Sequence, residues 1–376
     1  MDFDFSEEQK LLRDTVARFL GEDYDFETFK RVSRSEPGWR PDIWNQFAEL
    51  GLLGASLPEA FGGLGGGAVE TMIVMEEFGK TLVVEPYVPT VVIGGGLLRR
   101  AGTEQQKQEW LPKIAAGETL IAFAFAEPHG RYNLADLTTK AKKRNGNYVL
   151  NGQKAVVLGG PWADVLVVTA RTSGSQRDAS GVSLFLVDKK ANGISTRDYP
   201  TMDGLHASEI VFENVEIPAS NLVGAEGAAL PLIELVADEA IAAHCAEAIG
   251  CMKVLLDATV EYSRTRKQFG VPIGKFQVLQ HRMVDMFMAY EQSVSITLMA
   301  TLKLDDSERE RKRAVSAAKV HIGKAGRFVG QQAVQIHGGM GMTDELNVGH
   351  YVKRLTMLDV LYGDVQHHLK RYAALG

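Results

Sequence analysis

The chain has 376 residues, 45% of them hydrophobic and 23% charged, with a formal net charge of -6. That length holds one large core or two to three domains. The mild acidic balance, with no basic stripe, excludes a nucleic-acid footprint, and no apolar run reaches the roughly 20 residues of a membrane-spanning helix. The opening "MDFDFSEEQ" lacks the basic-then-apolar order of a secretory signal. Cys245 and Cys251 lie in a helical pattern at neither a zinc nor a redox spacing, so they read as reduced core thiols. A cytoplasmic protein is expected, with neither membrane nor nucleic acid as partner.

In chain order, residues 1–118 read as helical. "SEEQKLLRDTVARFL" opens with a capping box, Ser6 with Gln9, and Leu12, Val16, Phe19 and Leu20 follow at helical spacing. "TEQQKQEWLPKI" repeats the device with Thr103 and Gln106. The glycine-rich "FGGLGGG", Phe61 to Gly67, does not follow a strand and precedes no Lys-Ser/Thr. It reads as a loop with positive φ angles rather than a phosphate loop.

Over residues 119–226 the period changes to two. "ETLIAFAFAE", "GNYVLNGQKAVVL", "DVLVVTART", "GVSLFLVDK" and "SEIVFENVEI" are short β-rich runs, with "RNGN" and "LNGQ" supplying turns. This predicts a β-domain, barrel-like or sandwich-like. Residues 227–376 return to a helical pattern in three long stretches, beginning "LPLIELVADEA", "FQVLQHRMVDM" and "RERKRAVSAAK". Small residues and methionines on several faces predict a bundle. Helical–β–helical order without βαβ alternation excludes a Rossmann fold.

Four stretches carry a resemblance. "AEP" opens the β-domain and "YVLNGQK" lies inside it; "RTRKQFGVPIGKFQVLQHRMVDM" and "QIHGGMGM" follow in the helical region. In this order they resemble the acyl-CoA dehydrogenase family over nearly the whole chain, in the manner of the small subunit of pimeloyl-CoA-dehydrogenase-type enzymes. The resemblance implies the acyl-CoA dehydrogenase fold: an N-terminal all-α domain (1–118), a middle β-barrel-like domain (119–226) and a C-terminal four-helix bundle (227–376). It implies a homo-oligomer, or assembly with a homologous subunit. It also implies FAD, an acyl-CoA substrate undergoing α,β-dehydrogenation, and an electron acceptor flavoprotein. In that reaction a carboxylate removes the α-proton while the β-hydrogen leaves as hydride, so base and flavin must lie on opposite sides of one C–C bond.

The same resemblance implies that Arg266, Gln268, Phe269, Gln277, Gln335, Gly338 and Gly339 reach the FAD of a neighbouring subunit. A guanidinium suits a diphosphate, amides suit the adenosine half, and paired glycines admit close backbone approach. Singly, each has a plain structural reading: Arg266 a solvated charge, Phe269 core, the glycines a helix stop. The half of the site contributed within the subunit departs from the family pattern. Ala126 stands for Thr, Arg131-Tyr132-Asn133 for Gly-Ser-Asp, and Val156-Val157-Leu158 for Trp-Ile-Thr. Backbone N–H groups of Ala126 or Leu158 remain able to bond the flavin ring. Arg131 either fills the diphosphate space or neutralises a phosphate.

The family's base falls either after a tyrosine near the C-terminus, here Gly363 after Tyr362, or on the first long helix, here Ala240. Neither residue is a carboxylate. The stand-ins are Asp364, one residue late; Glu239, turned about 100° from Ala240; and Glu247, on the same face about 10 Å along the axis. Glu247 lies in the apolar "AAHCAEAIG", and a structural pairing with His244 is at least as good a reading as catalysis. His367 and His368 are helix neighbours whose side chains diverge, and Asp364 with His368 suits an ion pair or helix-end contact better than a metal, so no metal is expected.

Four functions stay open. One is a subunit lending the trans half of an FAD site to a catalytic partner. A second is a self-sufficient homo-oligomeric dehydrogenase using Asp364 or Glu247. The others are a non-redox acyl-CoA-binding relative and an oxygen-reactive flavoprotein.

Overall fold

The computed structural model describes residues 4–376. Eleven α-helices and ten strands alternate with short helical turns in the described residues. They divide into two compact units. Of the described residues, 4–32, 68–83 and 241–376 form one; residues 33–67 and 84–240 form the other. The stretch 1–118 is therefore shared between them, and the boundary falls inside a single long helix.

The second unit is built around a sheet. Before the sheet run α3 (Pro41–Glu49), a π-helix (Val88–Gly95), α5 (Gly96–Ala101) and α6 (Glu104–Ala115). Thr103 and Gln106 form the expected capping box at the start of α6. The sheet takes β1 (Ile121–Ala124), β2 (Lys140–Arg144), β3 (Asn147–Leu158), β4 (Val165–Arg171), β5 (Val182–Asp188), β6 (Ile194–Pro200), β7 (His206–Ile217) and β8 (Leu222–Val223). Its order is β6-β7-β3-β2-β4-β5-β8, with β1 parallel to β4. All eight strands send side chains into one cluster, from Ala122 and Leu150 to Phe185 and Phe212, with Ile194 and Leu222 packed against it.

Two Asn-Gly pairs in this region behave differently. Asn145 and Gly146 both take positive φ and join β2 to β3 in a two-residue hairpin, as expected. Asn151-Gly152 is not a turn. It lies inside β3, where the register against β7 shifts between Leu150 and Gly152. The Asn151 side chain accepts the Asn214 N–H at 2.9 Å, and a Cβ at Gly152 would overlap Thr139. This Asn-Gly serves a β-bulge rather than a chain reversal.

The first unit is helical. It contains α1 (Glu7–Asp23), most of α2 (Phe26–Ser33), and α4 (Ala68–Thr81). From within α7 (Leu230–Thr265) onward it adds α8 (Gln277–Leu302), α9 (Glu308–His337), α10 (Val348–Val360) and α11 (Val365–Ala374), with a hairpin of β9 (Lys267–Gln268) and β10 (Val271–Pro272). Ser6 and Gln9 form the capping box of α1. Helices α4 and α7 cross at two glycines: a Cβ on Gly79 would strike the Glu247 carbonyl, and one on Gly250 the Glu76 carbonyl. Only residues without a side chain permit that approach, and it seats the middle of α7 firmly. Cys245 and Cys251 are buried on α7 and in no disulfide among the described residues.

Candidate active site and flavin-facing surface

The C-terminal turn carries Gly363, one of the two positions where the family's base is expected. Between α10 and α11 the chain reverses through Tyr362 (φ 57°) and Gly363 (φ 121°). A Cβ on Gly363 would lie 2.5 Å from Cδ2 of His367 and 2.7 Å from Nε2 of His368. His368 is fully buried and fixed: its Nε2 lies 3.1 Å from the Tyr362 carbonyl and its Nδ1 3.2 Å from the Ser316 hydroxyl. Burial pushes its pKa down to about 3, aided by the charges of Lys319 and Arg371, so the ring is neutral. A side chain at position 363 therefore faces both a left-handed backbone and an occupied space.

The candidate bases are engaged elsewhere. Asp364 is the N-cap of α11, its carboxylate accepting the His367 N–H at 2.8 Å. It makes the helix-end contact rather than an ion pair with His368. Glu247 is buried and gripped by the Arg354 guanidinium, Nε to Oε1 at 2.5 Å and Nη2 to Oε2 at 2.8 Å. His244 Nδ1–H donates to Oε2 at 3.2 Å, the pairing expected from the sequence. Burial would raise the Glu247 pKa, but the Arg354 charge and the bonds from His244 and Arg354 outweigh it and lower the value to about 2. Glu247 is thus an anion locked in a pair, the opposite of a base tuned toward neutrality. In the other unit, Glu239 accepts from Arg99 at 2.7 Å and also pairs with Arg100. Ala240 is completely buried. Among the described residues no cluster of three or more His, Cys, Asp or Glu side chains is arranged for a metal ion.

The seven residues assigned to a neighbour's FAD lie in the helical unit and are exposed. Arg266 directly follows α7, its N–H bonded to the Tyr262 carbonyl at 2.8 Å. Its guanidinium joins no ion pair among the described residues. The hairpin that follows turns at Phe269 (φ 53°) and Gly270 (φ 80°), leaving Phe269 92% exposed rather than in the core. The Gln268 side-chain amide donates to the neighbouring Lys267 carbonyl at 2.8 Å. Gln277 starts α8, and Gln335 lies in the last turn of α9. Gly338 caps α9 with φ 62°, and a Cβ on Gly338 or Gly339 would meet nothing within 4 Å. Packing within the chain does not demand a glycine at 339. A cation, three amides and open glycine backbone form a donor set that fits an anionic dinucleotide.

Three residues were assigned to the site's other half. Ala126 follows β1 and its carbonyl accepts the Ala155 N–H at 2.8 Å. Leu158 ends β3 opposite Ala207. Just before it lies a register shift, with Val156 at φ 52° and about half exposed. Arg131 is exposed with φ 46°, on a loop braced by Asp136, which accepts from Gln176 at 2.6 Å and Arg177 at 2.8 Å.

One pair escaped the sequence reading. Glu127 of "AEP" and Lys154 of "LNGQK" form a buried ion pair at 2.8 Å. Glu127 also accepts from Thr138 N–H at 2.7 Å and Thr139 N–H at 3.1 Å, and Lys154 reaches Thr169 at 2.9 Å. Burial opposes the charge on Glu127, but Lys154 and the Thr138 bonds outweigh it and lower the pKa to about 2; burial lowers Lys154 to about 8. The pair pins the loop carrying Arg131 to β3. The signal was a lone carboxylate at the end of the apolar run "IAFAFAE".

Comparison with known proteins gives three consecutive matches. The acyl-CoA dehydrogenase N-terminal domain covers residues 6–118, the middle domain 122–215 and the C-terminal domain 237–374. Mitochondrial isovaleryl-CoA dehydrogenase of Pongo abelii is 31% identical over 94% of this chain and 85% of its own. The fold class and sequence together place the molecule among the flavin-dependent oxidoreductases. The chain belongs to the acyl-CoA dehydrogenase family. Among solved structures, the FAD complex of PigA superposes with a TM-score of 0.92 at 26% identity, covering 100% of this chain and 98% of PigA. A steroid ACAD described as Tcur3481-Tcur3483 superposes with a TM-score of 0.88 at 26% identity, covering 98% of this chain and 97% of that one. No helix among the described residues is long and apolar enough to cross a membrane.

Proposed function

We propose that this chain is the non-catalytic subunit of a two-subunit acyl-CoA dehydrogenase, of the small-subunit type. FAD is the cofactor, and when bound it would supply a hydride acceptor for the β-hydrogen of the acyl thioester. This chain's residues bind and orient. Arg266 offers its charge to the diphosphate, Gln268, Gln277 and Gln335 offer amides, and Gly338-Gly339 offers backbone. The catalytic homologue supplies the carboxylate that removes the α-proton. Val284, Phe287 and Met288 on α8, each about half exposed, support this reading as apolar surface a partner would cover. The Tcur3481-Tcur3483 enzyme, with two components in its name, is the kind of assembly this reading adopts.

The carrying observation is Gly363: the base position has no side chain, and the space for one is taken by His367 and His368. The test is flavin stoichiometry. Purified alone, the chain should be colourless; co-purified with a homologous catalytic subunit, the complex should be yellow. A full complement of flavin in the isolated chain would contradict the division of labour.

One observation favours a second reading, a self-sufficient enzyme. With its Nδ1–H given to Glu247, His244 keeps a buried Nε2 with no partner among the described residues. An imidazole oriented by a carboxylate is a general base in other settings. Loss of turnover by the isolated chain on His244→Ala would support that reading.

A further inference from the structure

The residues proposed to face the flavin come from two stretches far apart in sequence, 266–277 around the hairpin and 335–339 at the end of α9 and the loop after it. For both to meet one dinucleotide, something must hold them in register. The structure shows one direct tie. The Tyr262 ring stacks on His337, with centroids 4.4 Å apart and planes at 29°. Tyr262 is also the residue whose carbonyl receives the Arg266 N–H, which sets where the guanidinium leaves the helix. His337 is the residue immediately before Gly338. It is buried, and its Nδ1–H donates to the Ala333 carbonyl at 2.8 Å, so the ring cannot swing away. On the far side, a Cβ on Gly341 would press on the His337 Cβ at 3.0 Å, so the loop folds directly against this side chain.

We infer that Tyr262 and His337 are positioning residues: their stack joins the Arg266 hairpin and the Gly338-Gly339 loop into one preorganised surface for an anionic dinucleotide. This rests on the trans-site reading above. Neither ring needs to touch the ligand. Their stack removes the relative freedom of two exposed segments before the ligand arrives, which is where preorganised binding gains affinity. Arg282 supports the same alignment from α8, donating to Gln332 on α9 at 2.8 Å.

The test uses the assembled complex, with FAD titrated by flavin fluorescence at a temperature where every variant is fully folded. His337→Ala should weaken FAD binding by about tenfold, and Tyr262→Leu should do the same from the other side of the stack. His337→Phe, which keeps a ring, should stay within about twofold of the parent. A purely structural role would lower unfolding midpoints and leave the FAD affinity of the folded complex unchanged; that result overturns the inference. Arg266→Ala is the control. If it weakens FAD binding and His337→Ala does not, only the positioning role fails. If neither changes affinity, the trans-site reading fails first.

Discussion

Two regions of the helical unit have opposite characters. Around Arg266, Phe269 and Gly338 the surface is open: a side chain in solvent, a cation with no ion-pair partner among the described residues, glycines with empty space beside them. Around Gly363 everything is closed: His368 is buried and doubly bonded, Asp364 is spent on a helix cap, and Glu247 is held by Arg354 and His244. Groups that bind another molecule must be left unsatisfied within their own chain, whereas buried polar groups must be satisfied. The contrast supports the proposed division of labour: the segments proposed for cofactor binding keep unspent donors, while the polar groups near Gly363 are spent within the chain.

The first way to break this comparison is to open the closed region. Arg354→Ala strands Glu247 as a buried, unbalanced anion and should cost about 3–5 kcal/mol in urea denaturation. The pH profile supplies a sign. Because the Glu247 pKa is lowered on folding to about 2, its contribution is complete above about pH 4.5 and is lost as pH falls toward 2. The variant should lose that acid-side dependence. If Glu247 were a poised base instead, Arg354→Ala would leave stability nearly unchanged.

Next in size is Gly363→Ala, expected to cost about 2 kcal/mol through the left-handed backbone and the crowding of His367 and His368. Gly363→Glu should give no dehydrogenase activity to the isolated chain. A well-folded, active Gly363→Glu protein would show that the space is free.

The open region should respond in binding and not in stability. Arg266→Ala should weaken FAD retention by the complex roughly tenfold through the loss of a charge-assisted bond. Equilibrium dialysis with FAD checks this, and unchanged affinity would remove the hairpin from the site. The smallest effect belongs to Asp364→Ala, which removes an N-cap worth about 1 kcal/mol and should leave turnover of the complex as it was. A loss of turnover on the order of a hundredfold or more would restore Asp364 as a base.

Local chemistry was the most legible part of the sequence. Ser6–Gln9 and Thr103–Gln106 cap their helices because a capping box acts over three residues and depends on little else. Asn145-Gly146 turns the chain, but Asn151-Gly152, with the same two residues, sits in a bulge because β7 lies alongside to pair with it. The motifs marked the family but hid the physics inside them. In the sequence Glu127 and Lys154 belong to two separate motifs, and their ion pair depends on strand register that no local pattern shows. His244 with Glu247 was legible from spacing on one helix; Arg354, 107 residues from Glu247, was not. The division into compact units was hidden for the same reason, since α1 and α4 join helices more than 150 residues later in the chain.

The central claim is that this chain binds flavin for another subunit and does no proton abstraction itself. The most direct measurement is acyl-CoA dehydrogenation with an artificial electron acceptor and added FAD, by the isolated chain and by its complex with a homologous catalytic subunit. The account predicts no turnover by the chain alone and full turnover by the complex, abolished when the partner's carboxylate is replaced. Turnover by the isolated chain at a rate comparable to the complex would contradict it.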